Sequence, residues 1–255
     1  MMSRNILYLG DTAIDQSAGY LAGVMAYYKI EFDYLASNKK FSETFLKNNY
    51  KAIVISDYPA GNFSEFHIQA IAEKIKNGTG FLMIGGWDSF VGQNGKYNNT
   101  LFKEVLPVMM ENKDDRINCS APCMVVRNCR HEITDGLPFE TDAPAIGGFN
   151  NLKAKKNCTE ILSARKFTAE FKAGKFDFTE LKSSPLLVAG QFGRGNVAAF
   201  ASDVAPHWVG PLVDWGNKRI TAKSEGGSEI EVGNWYAQLF INIIRWISKE
   251  NTISE

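Results

Sequence analysis

The chain is poor in cysteine, carries no net charge of either sign, and contains no long apolar run. Four cysteines in 255 residues, Cys119, Cys123, Cys129 and Cys158, are too few for a disulfide-dense secreted scaffold. Lys and Arg number 28, as do Asp and Glu, giving a formal charge of zero and a pI near 6.8. That balance removes the basic footprint by which proteins hold nucleic acid or an anionic membrane, so neither is expected as a partner. No apolar run approaches the roughly 18 residues of a membrane span. The opening MMSRNILYLGDTAID lacks the apolar region and small-residue cleavage site of a secretory signal, so a cytoplasmic location is expected.

What is present suits a large α/β core: 45% of residues are hydrophobic and 22% charged, compatible with a single domain over residues 1–255. RNILYLG reads as a strand, followed by a helix with apolar positions Leu21, Val24, Met25 and Tyr28 at helical spacing. EFDYLAS and YKAIVISDYP read as strands two and three. Ser64 is placed to cap a helix whose stripe is Ile68, Ile71, Ala72 and Ile75, and Gly78 stops it. GFLMIGG is strand four. Strands such as AIVIS and FLMI, continuously apolar and alternating with helices, predict a parallel sheet. Residues 110–182 show few helical stripes and many polar breaks, and read as short strands and loops of the same domain. Beyond them SPLLVAGQFGRGNVAAFASD predicts a hairpin turning at Gly193–Asn196. VAPHWVGPLVDW reads as a loop, KSEGGS as a mobile loop, and GNWYAQLFINIIRWISKE as a closing amphipathic helix.

In parallel sheets ligands sit beyond the carboxyl ends of the strands. Asp11, Asp57, Asp88 and Asp203 all fall there, where up to four carboxylates could gather, bind a cation or raise one another's pKa. Aspartates are also common in turns and caps, where they bond backbone amides. Trp87, Trp208, Trp215, Tyr58 and Tyr97 fall near the same rim and could wall a small ligand or fill the core. Gly92-Gln93-Asn94-Gly95 could form a backbone nest for an anion, or only a turn. Cys119, Cys123 and Cys129 with His131 invite a zinc reading, but the spacing is poor and no metal site is expected. His67 lies among charged helix residues and is expected to face solvent.

SDYP, GGWDSFVGQNG, HEITDGLP and PLLVAGQFGRGNVAAFASDVAPHW together resemble the class I glutamine amidotransferase-like superfamily, and within it the branch related to trehalose-utilisation-type proteins. The resemblance covers nearly the whole chain. It implies a flavodoxin-like, mostly parallel sheet flanked by helices, with an added β-rich segment and a site at the turn after the fourth strand. In active members that turn is Gly-x-Cys-x-Gly, with the cysteine on a tight elbow and a His-Glu pair activating it. Here Gly85 stands at or beside the nucleophile position and none of the four cysteines lies there. His207 is followed by Trp208 and Val209 rather than an acid two residues on, although Asp203 or Asp214 could orient it.

Glutaminase activity is therefore not expected. The expected role is that of a non-catalytic subunit or a binder of a small polar ligand, without a cofactor, through Asp11, Asp57, Tyr58, Gly86, Trp87, Asp88, Asn94 and Trp208. One alternative is a hydrolase using Ser89, or a metal-bound water, with His207 and Asp203 as the remaining catalytic candidates. Another is a structural oligomer, and a homo-oligomer is expected in either case.

Overall fold

A computed structural model describes residues 5–250; Arg4, which opens the first expected strand, lies outside them. The first four strands and two helices are β1 (Ile6–Gly10), α1 (Ala18–Tyr27), β2 (Phe32–Ala36), β3 (Ala52–Ser56), α2 (Glu65–Lys76) and β4 (Gly80–Ile84). The short α3 (Phe102–Val105) and β5 (Val108–Met109) lead into β6 (Arg116–Arg127), β7 (Ala145–Asn150), β8 (Lys153–Ala154), β9 (Thr159–Lys172), β10 (Lys175–Phe192) and β11 (Gly195–Phe200). The chain closes with α4 (Pro206–Val213), β12 (Arg219–Lys223), β13 (Glu229–Gly233) and α5 (Asn234–Ser248).

One nine-stranded sheet runs β2-β1-β3-β4-β11-β10-β9-β6-β7, and β5 with β8 and β12 with β13 form two small ribbons. From β2 to β11 every pairing is parallel. From β11 outward every pairing is antiparallel. The parallel half is the flavodoxin-like sheet. Its strands β1, β3 and β4 are buried along their whole length, which is why they read as unbroken apolar runs. Each large side chain buried there contributes about 1.5–3 kcal/mol. At the start of β4, Gly80 lies against the Ile247 carbonyl, so that a Cβ there would meet the α5 backbone.

Three expectations change. Residues 110–182 hold, beside the short β7 and β8, the long strands β6 and β9 of 12 and 14 residues and the first part of the 18-residue β10. Bulges at Glu180/Lys182 and Pro185/Leu187, and a register shift between Asn118 and Cys123, interrupt the alternation that would have announced them. The segment read as a loop at VAPHWVGPLVDW is α4, with Pro206 at its first turn, where a missing N–H costs nothing, and a kink at Val209. His67 does not simply face solvent: it is half-buried, its Nδ1 accepts from the Ser64 N–H at 3.1 Å, and its ring sits edge-on to Phe41. The Ser64 hydroxyl in turn accepts from the His67 N–H at 3.2 Å, closing a reciprocal cap on α2.

Replacing Ser64 by Ala removes one of these bonds and should lower unfolding free energy by about 1 kcal/mol, read as a shift in urea midpoint with unchanged slope.

Candidate functional site

The carboxyl ends of β1, β3, β4 and β11 stand side by side in the sheet, and each is followed by residues singled out from sequence. β1 returns through α1 to β2 on one side, and β3 through α2 to β4 on the other. The crevice of the sheet therefore opens between β1 and β3, with Asp11 and Asp57 at its two lips. The Asp11 N–H donates to the Ser56 carbonyl at 3.0 Å, tying the two strand ends together. Tyr34 donates to the carbonyls of Gly10 and Asp11.

After β4 the elbow is closed from within. A Cβ on Gly85 would lie 2.5 Å from Asn150 Oδ1 and still nearer the Ala201 carbonyl. The Asn150 side chain, from the end of β7, accepts the Gly86 N–H at 2.9 Å and donates to the Gly86 carbonyl at 3.2 Å and to Asp115 at 2.8 Å. Gly86 has φ +146°, and the Asp57 carboxylate occupies the space a side chain would need there. Asp57 Oδ1 accepts the Asp88 N–H at 2.7 Å. Ser89 is fully buried, and its Oγ accepts the Asp57 N–H at 2.9 Å, which makes it a bracket between two turns.

The next turn contains an anion nest that is already filled. Val91 and Gly92 point their N–H groups at the buried Asp115 carboxylate, at 3.2 and 3.0 Å. Asn94 donates instead to Asp88 at 2.9 Å.

The outer wall is formed by Trp87, 42% exposed, with His207 edge-on at 5.7 Å between ring centroids and the Arg116 guanidinium 4.4 Å above its face. Arg116 is also paired with Asp114 at 2.6 Å. His207 is exposed in the first turn of α4. Tyr58 and Trp208, expected to touch ligand, are buried: Tyr58 donates to the Lys39 carbonyl at 2.8 Å, and Trp208 donates to Asn118 at 2.9 Å with its ring packed on Gly148. Trp215 is buried against Phe139, and Tyr97 is buried with its hydroxyl on the Tyr58 carbonyl.

Asn150, Asp115 and Arg116 were missed. Asp115 and Arg116 sit in ENKDDR, which looks like a solvated run, and Asn150 ends a strand far from the elbow in sequence.

The carboxylates act on one another. Burial raises Asp11, and Asp88 adds to the shift. Burial followed by the Asp203 charge raises Asp57 well above the usual range. Asp203, 4% exposed, is pushed up to about 7 by burial, although the Val204 and Ala205 N–H groups at 2.6 and 3.2 Å pull the other way. Beneath them Tyr8 is fully buried, and neither its hydroxyl nor the Ser56 Oγ has a hydrogen-bond partner among the described residues.

No three His, Cys, Asp or Glu side chains among the described residues are arranged to hold a metal ion. Cys119 and Cys123 lie together, Sγ to Sγ 2.9 Å, but Cys129 faces the Glu160 carbonyl and His131 accepts from the Ile133 N–H.

A carboxyl whose pKa is higher in the folded state keeps its proton where the unfolded chain has lost it. The stability it contributes is complete below about pH 4 and is lost as pH rises through about 7, at up to about 1.4 kcal/mol per pH unit. Asp203→Asn keeps an acceptor for the two amides and removes the charge. It should raise the melting temperature at pH 8 and leave it nearly unchanged at pH 4. Asn150→Ala, which strands the buried Gly86 peptide and the Asp115 carboxylate, should cost about 2–4 kcal/mol in denaturant unfolding.

Comparison with known proteins agrees with this architecture. A family model described as "Putative glutamine amidotransferase" matches residues 8–223. Cytoplasmic Protein STM1381 from Salmonella typhimurium LT2 is similar at 27% identity and a TM-score of 0.72, over 95% of this chain and 99% of that one. Cytoplasmic Protein STM3548 from Salmonella typhimurium gives 24% and 0.72, over 95% and 98%. A thua-like protein from Bacteroides uniformis shares the fold at 13% identity and a TM-score of 0.56, over 96% and 91%. No curated protein matches the chain. With the family model spanning most of its length, this chain belongs to the glutamine amidotransferase-like family.

Proposed function

We propose that this chain is a non-catalytic member of its family, working in the cytoplasm, that binds a small polar ligand at the strand-end rim. One observation carries the reading: the family resemblance puts Gly85 at or beside the nucleophile position, and the space a side chain would need there is taken by Asn150 and the Ala201 carbonyl. Glutamine hydrolysis by the family's route needs a thiolate there to form a thioester, and here neither the thiolate nor the room for one exists. Ser89 is a poor substitute, since its Oγ is buried under the Asp57 amide while His207 is exposed on the outer wall against Trp87.

The binding half of the proposal rests on what the rim still offers. Asp11 and Asp88 present acceptors at the crevice, and Trp87 with Arg116 provides a flat apolar and cationic wall. Donor-rich small molecules such as polyols and amines match the carboxylates, and the indole face suits the apolar side of a sugar ring. The two similar Salmonella typhimurium proteins, each described as a cytoplasmic protein, support the cytoplasmic location by analogy.

The test is thermal shift against amino acids, sugars, nucleotides and amines, with a glutaminase assay in parallel. The expected result is no ammonia release, and a ligand-dependent rise that is reduced in Trp87→Ala and in Arg116→Ala; saturation at about 100 times Kd corresponds to about 2.7 kcal/mol. Turnover of any hydrolysable substrate that disappears in His207→Ala would replace this reading with the hydrolase. Gly85→Cys should destabilise the fold by about 1–3 kcal/mol through overpacking, without creating glutaminase activity.

A further inference from the structure

The long β9–β10 hairpin leaves the sheet as an arm. β6 accompanies β9 only at residues 162–165 and β11 accompanies β10 only at residues 187–192, so residues 166–182 pair with each other alone and project as a two-stranded ribbon of about 20 Å. Its turn, Ala173-Gly174, has positive φ at both positions, +50° and +79°, the geometry that matches strand twist in a two-residue hairpin.

The two faces of the arm differ. Phe171 stands opposite Phe176, Ala169 opposite Phe178 and Phe167 opposite Glu180, so four phenylalanines share one face, touching at centroid distances of 5.0 to 6.3 Å. The other face carries Thr168, Glu170 and Lys172 opposite Thr179, Asp177 and Lys175. Phe171, Phe176 and Phe178 are 65%, 63% and 68% exposed, and Leu181 at the bulge is 61% exposed. Side chains this apolar and this open, in contact along one face, mark a surface built for a partner.

We infer that the phenylalanine face of this arm is the contact between two copies of the chain, paired about a twofold axis. The area matches. At about 200 Å² per fully exposed phenylalanine, the three rings and Leu181 leave about 500 Å² open per copy, and a twofold pairing buries about 1,000 Å² in all, the threshold of a specific interface. A twofold contact requires a patch complementary to itself, and an aromatic stripe with small Ala169 at its centre meets that requirement by packing against its own copy. The charges also allow it. Lys166, Lys172, Lys175 and Lys182 are nearly balanced by Glu170, Asp177 and Glu180, so two arms do not repel, and the mixed signs give none of the polybasic attraction that seats a hairpin on an anionic bilayer.

The experiment is sedimentation velocity of the full chain across the micromolar range, together with the double variant Phe176→Ser and Phe178→Ser. Both side chains are exposed, so the variant should keep the wild-type melting temperature. The expected result is a wild-type particle of twice 28.4 kDa and a monomeric variant. A wild-type chain that stays monomeric throughout, or a dimer untouched by the double substitution, overturns the inference. So does a monomer that co-sediments with phosphatidylcholine and phosphatidylserine vesicles through the same two residues.

Discussion

The carboxamide of Asn150 holds the Gly86 peptide on both sides, accepting its N–H and donating to its carbonyl, while the same amide nitrogen reaches Asp115. Asn150 also donates its own N–H to the Ala201 carbonyl at 2.7 Å. One residue, through its side chain and its backbone N–H, thus links the end of the antiparallel half of the sheet to the turns after β4 and β11. It is fully buried, where an unmatched amide is expensive, and the surrounding groups satisfy it with backbone partners and a carboxylate. The turn after β4 is a sealed joint. Gly85 and Gly86 are glycine because Asn150, Ala201 and Asp57 press against them.

The same joint organises the electrostatics. Asp115 fills the nest at Val91 and Gly92, and Asp57 braces Gly86 and Asp88, so two carboxylates are turned to structural use. What remains at the crevice is Asp11, half-buried, beside Asp57 and Asp203, which burial holds above their usual pKa, and below them two hydroxyls that have no partner among the described residues. Such an arrangement costs stability at neutral pH, a cost commonly found where a site is kept for binding.

The parallel half of the fold was legible because its chemistry is local. Buried strands read as apolar runs, helices as stripes, and the cap at Ser64 announced α2. The arm was not legible: both faces of residues 168–183 are open to solvent, so no buried side enforces the two-residue period, and bulges shift what alternation there is. At the site, Asp11, Asp57, Gly86, Asp88 and Asp203 lie at adjacent strand ends, a placement that follows from the strand boundaries alone. Tyr58 and Trp208 could not be told from wall residues, because an aromatic near a strand end looks the same whether its polar atom meets a ligand or a backbone carbonyl. Asn150 and Asp115 act across 64 and 23 or 24 residues of chain, a kind of contact that spacing does not encode.

The central claim is that the elbow contains no competent nucleophile. It is tested most directly by intact-mass and peptide mapping after exposure to a fluorophosphonate and to a glutamine-directed diazoketone. The account predicts that no adduct forms between Gly85 and Gly95. Covalent labelling of Ser89 at a rate above that of an ordinary surface serine would contradict it, because it would require the buried bracket to open and act as a nucleophile.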